Sequence, residues 1–242
     1  MSRTVRARLF LAAALVFGAG YVLACLELPP LGSQFHPYAR RAVPAALARR
    51  TANVVSSVNF DLRGFDTLGE EFVLFTAVLG AALLLRRTRD EHVTRPRPGR
   101  VLSTVRLTGT VLLPVALVTG VYIVAHGQLT PGGGFQGGVI LATGLHLAYL
   151  AADYRVLRRV RPRVVLEVTE AVAAGAFAGL GLVGLAQAAA YLKNVLPLGT
   201  LGSLTSGGLV PVLNAAVGVE VGSALVVLLA GFIDQALEIE SE

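Results

Sequence analysis

Six stretches of this chain are long, apolar and almost free of charge: Leu9–Leu26, Thr67–Leu85, Leu102–Ala125, Phe135–Tyr154, Val164–Tyr191 and Val210–Gln235. About 20 such residues cross a hydrocarbon core as a helix. The composition agrees: 54% of residues are hydrophobic and 15% charged, against roughly 25% charged in an average soluble domain. Mean hydropathy is +0.67. The expected fold is an all-α integral membrane protein with six transmembrane helices. The fifth is long enough to be tilted, or to end early near Gln187. The first follows Arg3, Arg6 and Arg8, as a secretory leader would. Its apolar run is long for a leader, and Ala24-Cys25-Leu26-Glu27 is a poor cleavage site, so a retained helix is expected.

The net charge is +6, and 20 of the 21 cations are Arg. In a soluble chain this would suggest nucleic acid. Here the charges alternate with the spans. Fifteen lie at the N-terminus and in or around the second and fourth connections, counting Arg106 at the start of span three, against six in the others. The positive-inside rule then places both termini in the cytoplasm and the chain in the cytoplasmic membrane. The expected surroundings are lipid and other subunits, with no nucleic acid. Cys25 is the lone cysteine, which leaves no internal disulfide or multi-cysteine metal site.

The charged, proline-bearing segment Arg86–Arg100 reads as a linker between a two-span front and a four-span back. The expected units are residues 1–90, a cytoplasmic linker over 91–100, and residues 101–242. In the front, the loop from Glu27 to Asp66 reads as a short interfacial helix followed by an extended piece.

Between the third and fourth spans lies His126–Gly138, "HGQLTPGGGFQGG". Gly132, Gly134 and Gly137 satisfy G-x-G-x-x-G, but no strand precedes them, so a dinucleotide fold does not fit. No G-K-[ST] ending is present, so a phosphate loop does not fit either. What remains is a tight turn. Pro131 closes the preceding backbone, the glycines tolerate positive φ and let backbones approach closely, and Gly134 and Gly138 have the spacing of close helix contacts. This turn is expected to pin span three to span four and to seat a neighbouring subunit.

Acids and histidines within spans are costly and mark functional sites or packed interiors. Glu220 lies near the middle of span six between Gly218 and Gly222. On span four, Gln136, Thr143, His146 and Asp153 share a face, with His146 the titrating member. A relay and a plain interhelical contact both fit that stripe. Asp66 and Glu70 stand four apart at the start of span two and can share a ligand, whereas Glu70 and Glu71 point about 100° apart. Thr67-x-x-Glu70 also reads as a capping box. Glu167 and Glu170 read as an interface pair near Arg161 and Arg163. No catalytic motif appears, so neither enzyme chemistry, a metal nor a cofactor is expected.

"AHGQLTPGGGFQGGVILATG" resembles the signature of the B subunit of Mrp-type multisubunit sodium/proton antiporters, the MnhB family. That resemblance covers about residues 101–237 and implies structural roles for His126, Pro131, Gly132, Gly133, Gly134, Phe135, Gly137 and Gly138. "ANVVSSVNFDLRGFDTLGEEFVLF" is similar to the E-type (MbhE) piece found in the large A-type antiporter protein and in membrane-bound hydrogenases. It implies a role for Asp66 and Glu70 in a cation route. Glu71 departs from the pattern, adding an acid where an apolar residue is expected. His146 and Glu220 are candidates by burial rather than by resemblance. The resemblance implies a subunit of a monovalent cation/proton antiporter, working with large antiporter-like subunits. The equivalent subunit of a membrane-bound hydrogenase or related respiratory complex, and a purely structural assembly subunit, are the alternatives.

Overall fold

The computed structural model describes residues 3–28, 36–85, 101–151 and 163–239. Every regular element among them is helical. They are α1 (Arg3–Leu26), α2 (Pro37–Ala48), α3 (Val54–Ser57), a wide π-helical turn (Val58–Leu62), α4 (Gly64–Leu84), α5 (Ser103–Ala125), α6 (Gly134–Ala151), α7 (Arg163–Ala188) and α8 (Val210–Ile239). Helices α1, α4, α5, α7 and α8 are long and apolar enough to cross a membrane. Helix α6 has 18 residues, or roughly 27 Å at 1.5 Å per residue. Its continuation, Asp153 and the Arg86–Arg100 connection lie outside the described residues.

Residues up to Arg41 form one compact unit and Ala42 onward a second. Within the first, none of the described α1 side chains is buried. The second is organised around α8, which packs against α4, α5, α6 and α7. Over half of the most apolar window of α8 is buried, against 11% for α5. Its inward residues Leu213, Val217 and Val221 join Phe60, Leu68, Phe177, Leu192 and Leu209 in the main core. Val78, Ala224 and Val227 form a second cluster further along. Contacts of Gly134 with Asn214, Gly138 with Gly222 and Leu85 with Gly231 show that α4, α6 and α8 run parallel.

Two sequence expectations change, and a third is narrowed to one of its alternatives. The segment after α2 is helical rather than extended, because the Asn53 side chain caps it. Its Oδ1 accepts from the Val55 and Ser56 amides at 3.1 and 3.3 Å. Span two starts at Gly64, so Thr67 lies inside the helix. Its hydroxyl donates to the Asn59 carbonyl at 2.7 Å, which replaces the capping box. Helix α7 ends at Ala188, near Gln187, where Ala189 takes a left-handed φ of 56°. The chain then folds back so closely that a Cβ on Gly181 would meet the Tyr191 ring at 2.3 Å. The Tyr191 hydroxyl donates to the Ala178 carbonyl at 3.1 Å.

Candidate functional site

Two polar assemblies occupy the interior of the helical unit, and both draw on α8. The first surrounds the glycine turn. Gly132 and Gly133 have φ of 125° and 142°, a region L side chains rarely adopt. This backbone lets Asn214 approach, and a Cβ on Gly133 would stand 2.5 Å from its Oδ1. That Oδ1 accepts from the Gly134 amide at 2.9 Å. The Asn214 Nδ2 donates to Ser56 Oγ at 2.9 Å and to the Val210 carbonyl at 3.0 Å. From the opposite side the Asn53 Nδ2 donates to the Gly127 and Thr130 carbonyls, both at 2.8 Å. Two amides thus grip one turn, and their hydrogen-bonding groups are well matched.

The other members of the turn have evident places. His126 stacks on Tyr122 with ring centroids 4.0 Å apart, its Nδ1 3.0 Å from the Tyr122 carbonyl oxygen. Gln128 is fully buried, and its Nε2 donates to the Leu204 carbonyl at 2.7 Å. Pro131 is exposed, and Phe135 packs on the main core. A Cβ on Gly134 would meet the Asn214 carbonyl at 2.6 Å, and one on Gly138 the Gly218 carbonyl at 2.9 Å. Gly137 does the same work toward α5, against the Gly120 carbonyl at 2.8 Å. The stretch therefore joins α6 to both α5 and α8.

The second assembly is acidic. Glu220 of α8 is fully buried and faces Glu71 of α4, which is also fully buried. Among the described residues, none of their four carboxyl oxygens has a hydrogen-bond donor. Glu170 of α7, 4% exposed, lies close enough to feel the charge of Glu220. The sequence reading of Glu167 and Glu170 as one interface pair is thus divided. Glu170 turns into the unit, and Glu167 is exposed.

The proposed ion-path residues do not converge on one point. Glu220 meets Glu71, a residue that sequence reasoning noticed only as a departure. Asp66 and Glu70 are exposed on the outer side of α4, with Asp66 ion-paired to Arg63. His146 is half-buried on α6, eight residues or about 12 Å along the helix from Gly138. Gln136 and Thr143 of the same stripe are exposed. The Thr143 hydroxyl donates back to the Val139 carbonyl at 2.8 Å.

Sequence reading also missed Asp61, on the π-helical turn. Its side chain is 2% exposed and stands 3.6 Å from the Arg49 guanidinium. Burial pushes its carboxyl above the ordinary value of 3.8, although Arg49, the Asn194 side chain and Lys193 all oppose the shift.

Residues 104–227 match the family model described as a domain related to the MnhB subunit of Na+/H+ antiporters. An uncharacterized protein of Methanocaldococcus jannaschii, MJ1307, is 26% identical over 202 residues, 72% of this chain and 74% of that one. A probable K+/H+ antiporter protein of Rhizobium meliloti, described as its A/B subunit, is 29% identical over 125 residues, 43% of this chain but 12% of that much longer one. Among solved structures, the archaeal membrane-bound sulfane sulfur reductase, a respiratory membrane complex, contains a chain with 30% identity and a TM-score of 0.69. The match covers 96% of this chain and 98% of that one. The Mrp complex from Dietzia sp. DQ12-45-1b contains another with 25% identity and a TM-score of 0.69, over 96% of this chain and 26% of that one. The chain belongs to the MnhB-related family.

Proposed function

We propose that this member of the MnhB-related family is a multi-pass subunit of a multisubunit monovalent cation/proton antiporter in the cytoplasmic membrane. The observation that carries the reading is the family match over 104–227, which contains the whole amide-clamped glycine turn. In this reading α6 is the fourth of six spans and both termini are cytoplasmic, a placement supported by the arginine asymmetry. Residues 1–90 act as an E-type piece and 101–242 as the B-type piece.

The exposed acids of α4 support a partner. Asp66 and Glu70 both face outward on an apolar helix. Their face is therefore assigned to a neighbouring subunit, with the two acids, four residues apart, on the cation route between chains. His146 is assigned to the relay on the α6 side, and Glu220 to the interior.

A second reading is favoured by one specific observation. The chain of the sulfane sulfur reductase complex is matched over nearly its whole length, whereas the Mrp chain is matched over a quarter. The same fold would then serve the ion-translocating module of a redox-driven complex. Purification of the C-terminally tagged chain from native membranes in mild detergent, with mass spectrometry of what accompanies it, separates the two. Large antiporter-like subunits without redox partners are expected. Iron–sulfur or hydrogenase-type subunits would favour the second reading, and a chain that comes down alone would sink both.

A further inference from the structure

We propose that Glu71 and Glu220 form a buried two-carboxyl site that binds one exchangeable proton, shared between the two helices α4 and α8. The proposal deepens the antiporter reading and rests on it for coupling to transport, but the binding itself stands on geometry.

The two side chains are fully buried and face one another. Ionised carboxylates are acceptors only. Among the described residues no hydrogen-bond donor serves any of the four oxygens. The charged groups that bear on the pair are also acidic: Glu70 from α4 and Glu170 from α7, with Glu167 behind it. On the remaining side α6 brings Gly138 against the turn of α8 that holds Glu220. His146 lies about two helical turns further along. None of these neighbours supplies the missing donor, so the donor must come from a bound species.

A proton fits best. Two carboxylates and one proton make a single O–H···O⁻ bridge, which satisfies one oxygen of each acid and halves the buried charge. A bare hard cation instead asks for about six oxygen ligands in a cage. Among the described residues no group of three or more His, Cys, Asp or Glu is placed to hold a metal ion. The packing around the pair is also built to be tight. A Cβ on Gly138 would lie 2.8 Å from the Val221 side chain and 3.0 Å from the Gly222 amide, so α6 closes over that turn of α8.

The test is infrared spectroscopy of the purified full-length chain, comparing wild type with Glu71→Gln, Glu220→Gln and the double variant. Wild type is expected to show a protonated-carboxyl C=O band that shifts in D2O and that the double variant lacks. Each single variant is expected to move or remove the band, because the facing carboxyl becomes an amide. Glu27→Gln, at an exposed acid just after α1, is the control and leaves it in place. The proposal is overturned if the double variant retains the full wild-type band, or if each single variant leaves the other acid's band unmoved. Should the double variant fail to fold, the single variants alone decide, since coupling is read from either one. Loss of this proposal leaves the subunit reading standing. A chain that purifies without partners but keeps the band does the reverse.

Discussion

Asn214 and Glu220 lie six residues apart on the same helix, both fully buried, and they are opposites. Asn214 gives and receives hydrogen bonds on both sides of its amide, to Gly134, Ser56 and Val210. Glu220 faces other acids and, among the described residues, has no donor. A buried polar group normally costs stability unless it is bonded. The first site therefore holds the molecule together. The second is a place where folding stability has been given up, and such places are where function is found.

The comparison can be broken most severely at the glycines. Gly133→Ala puts a Cβ 2.5 Å from Asn214 Oδ1 at a φ of 142°. Strain and overpacking together are expected to cost upwards of about 3 kcal/mol. Thermal unfolding in detergent and recovery by size exclusion should both collapse. Asn214→Ala comes next. It strands the buried Gly134 amide and removes the donor to Ser56, an expected loss of about 2–4 kcal/mol. Asn53→Ala should cost somewhat less, about 1–3 kcal/mol, since it removes a cap and two bonds to the turn.

The acidic site should answer the other way. Glu71→Gln with Glu220→Gln is expected to change stability by no more than about 1 kcal/mol in either direction, while cation/proton exchange by the assembled complex falls at least about tenfold. A double variant that melts as early as Asn214→Ala, with exchange intact in whatever assembles, would make the acids packing groups and erase the contrast.

The smallest effect is expected at Asp61. The unfolded chain titrates this acid near 3.8, and burial raises it in the folded state. The folded state therefore holds its proton to higher pH. The stability this confers is full below about 3.8 and is lost as pH rises through the folded value. Measured against Asp61→Asn, wild type should be relatively most stable in acid and should lose that margin toward neutrality. A margin that grows with pH would mean the Arg49 attraction outweighs burial.

Five of the spans were legible because hydropathy over 20 residues needs no tertiary information. The turn was legible because three glycines after Pro131 admit few other roles. What held the turn was not. Asn53 and Asn214 are separated from it by some 80 residues, and a single amide at the edge of an apolar run carries no sign of its target. The same limit hid the acid pair. The angle between Glu70 and Glu71 on one helix was correct, but the partner of Glu71 comes from another helix, where only packing decides. Glu170 turns toward Glu220, a direction set by the helix face, while Arg161 and the Arg163 side chain, near which the sequence placed it, lie outside the described residues.

The grip of Asn53 on the turn, with α4 lying along α8, has a consequence for how such a chain can be encoded. The front of Ala42–Glu242 recognises the back through side-chain geometry, not through the covalent connection between Leu85 and Val101. That connection raises the effective concentration of one piece for the other. A genome could therefore write the two as one polypeptide or as two separate genes, and the same interface would assemble from either.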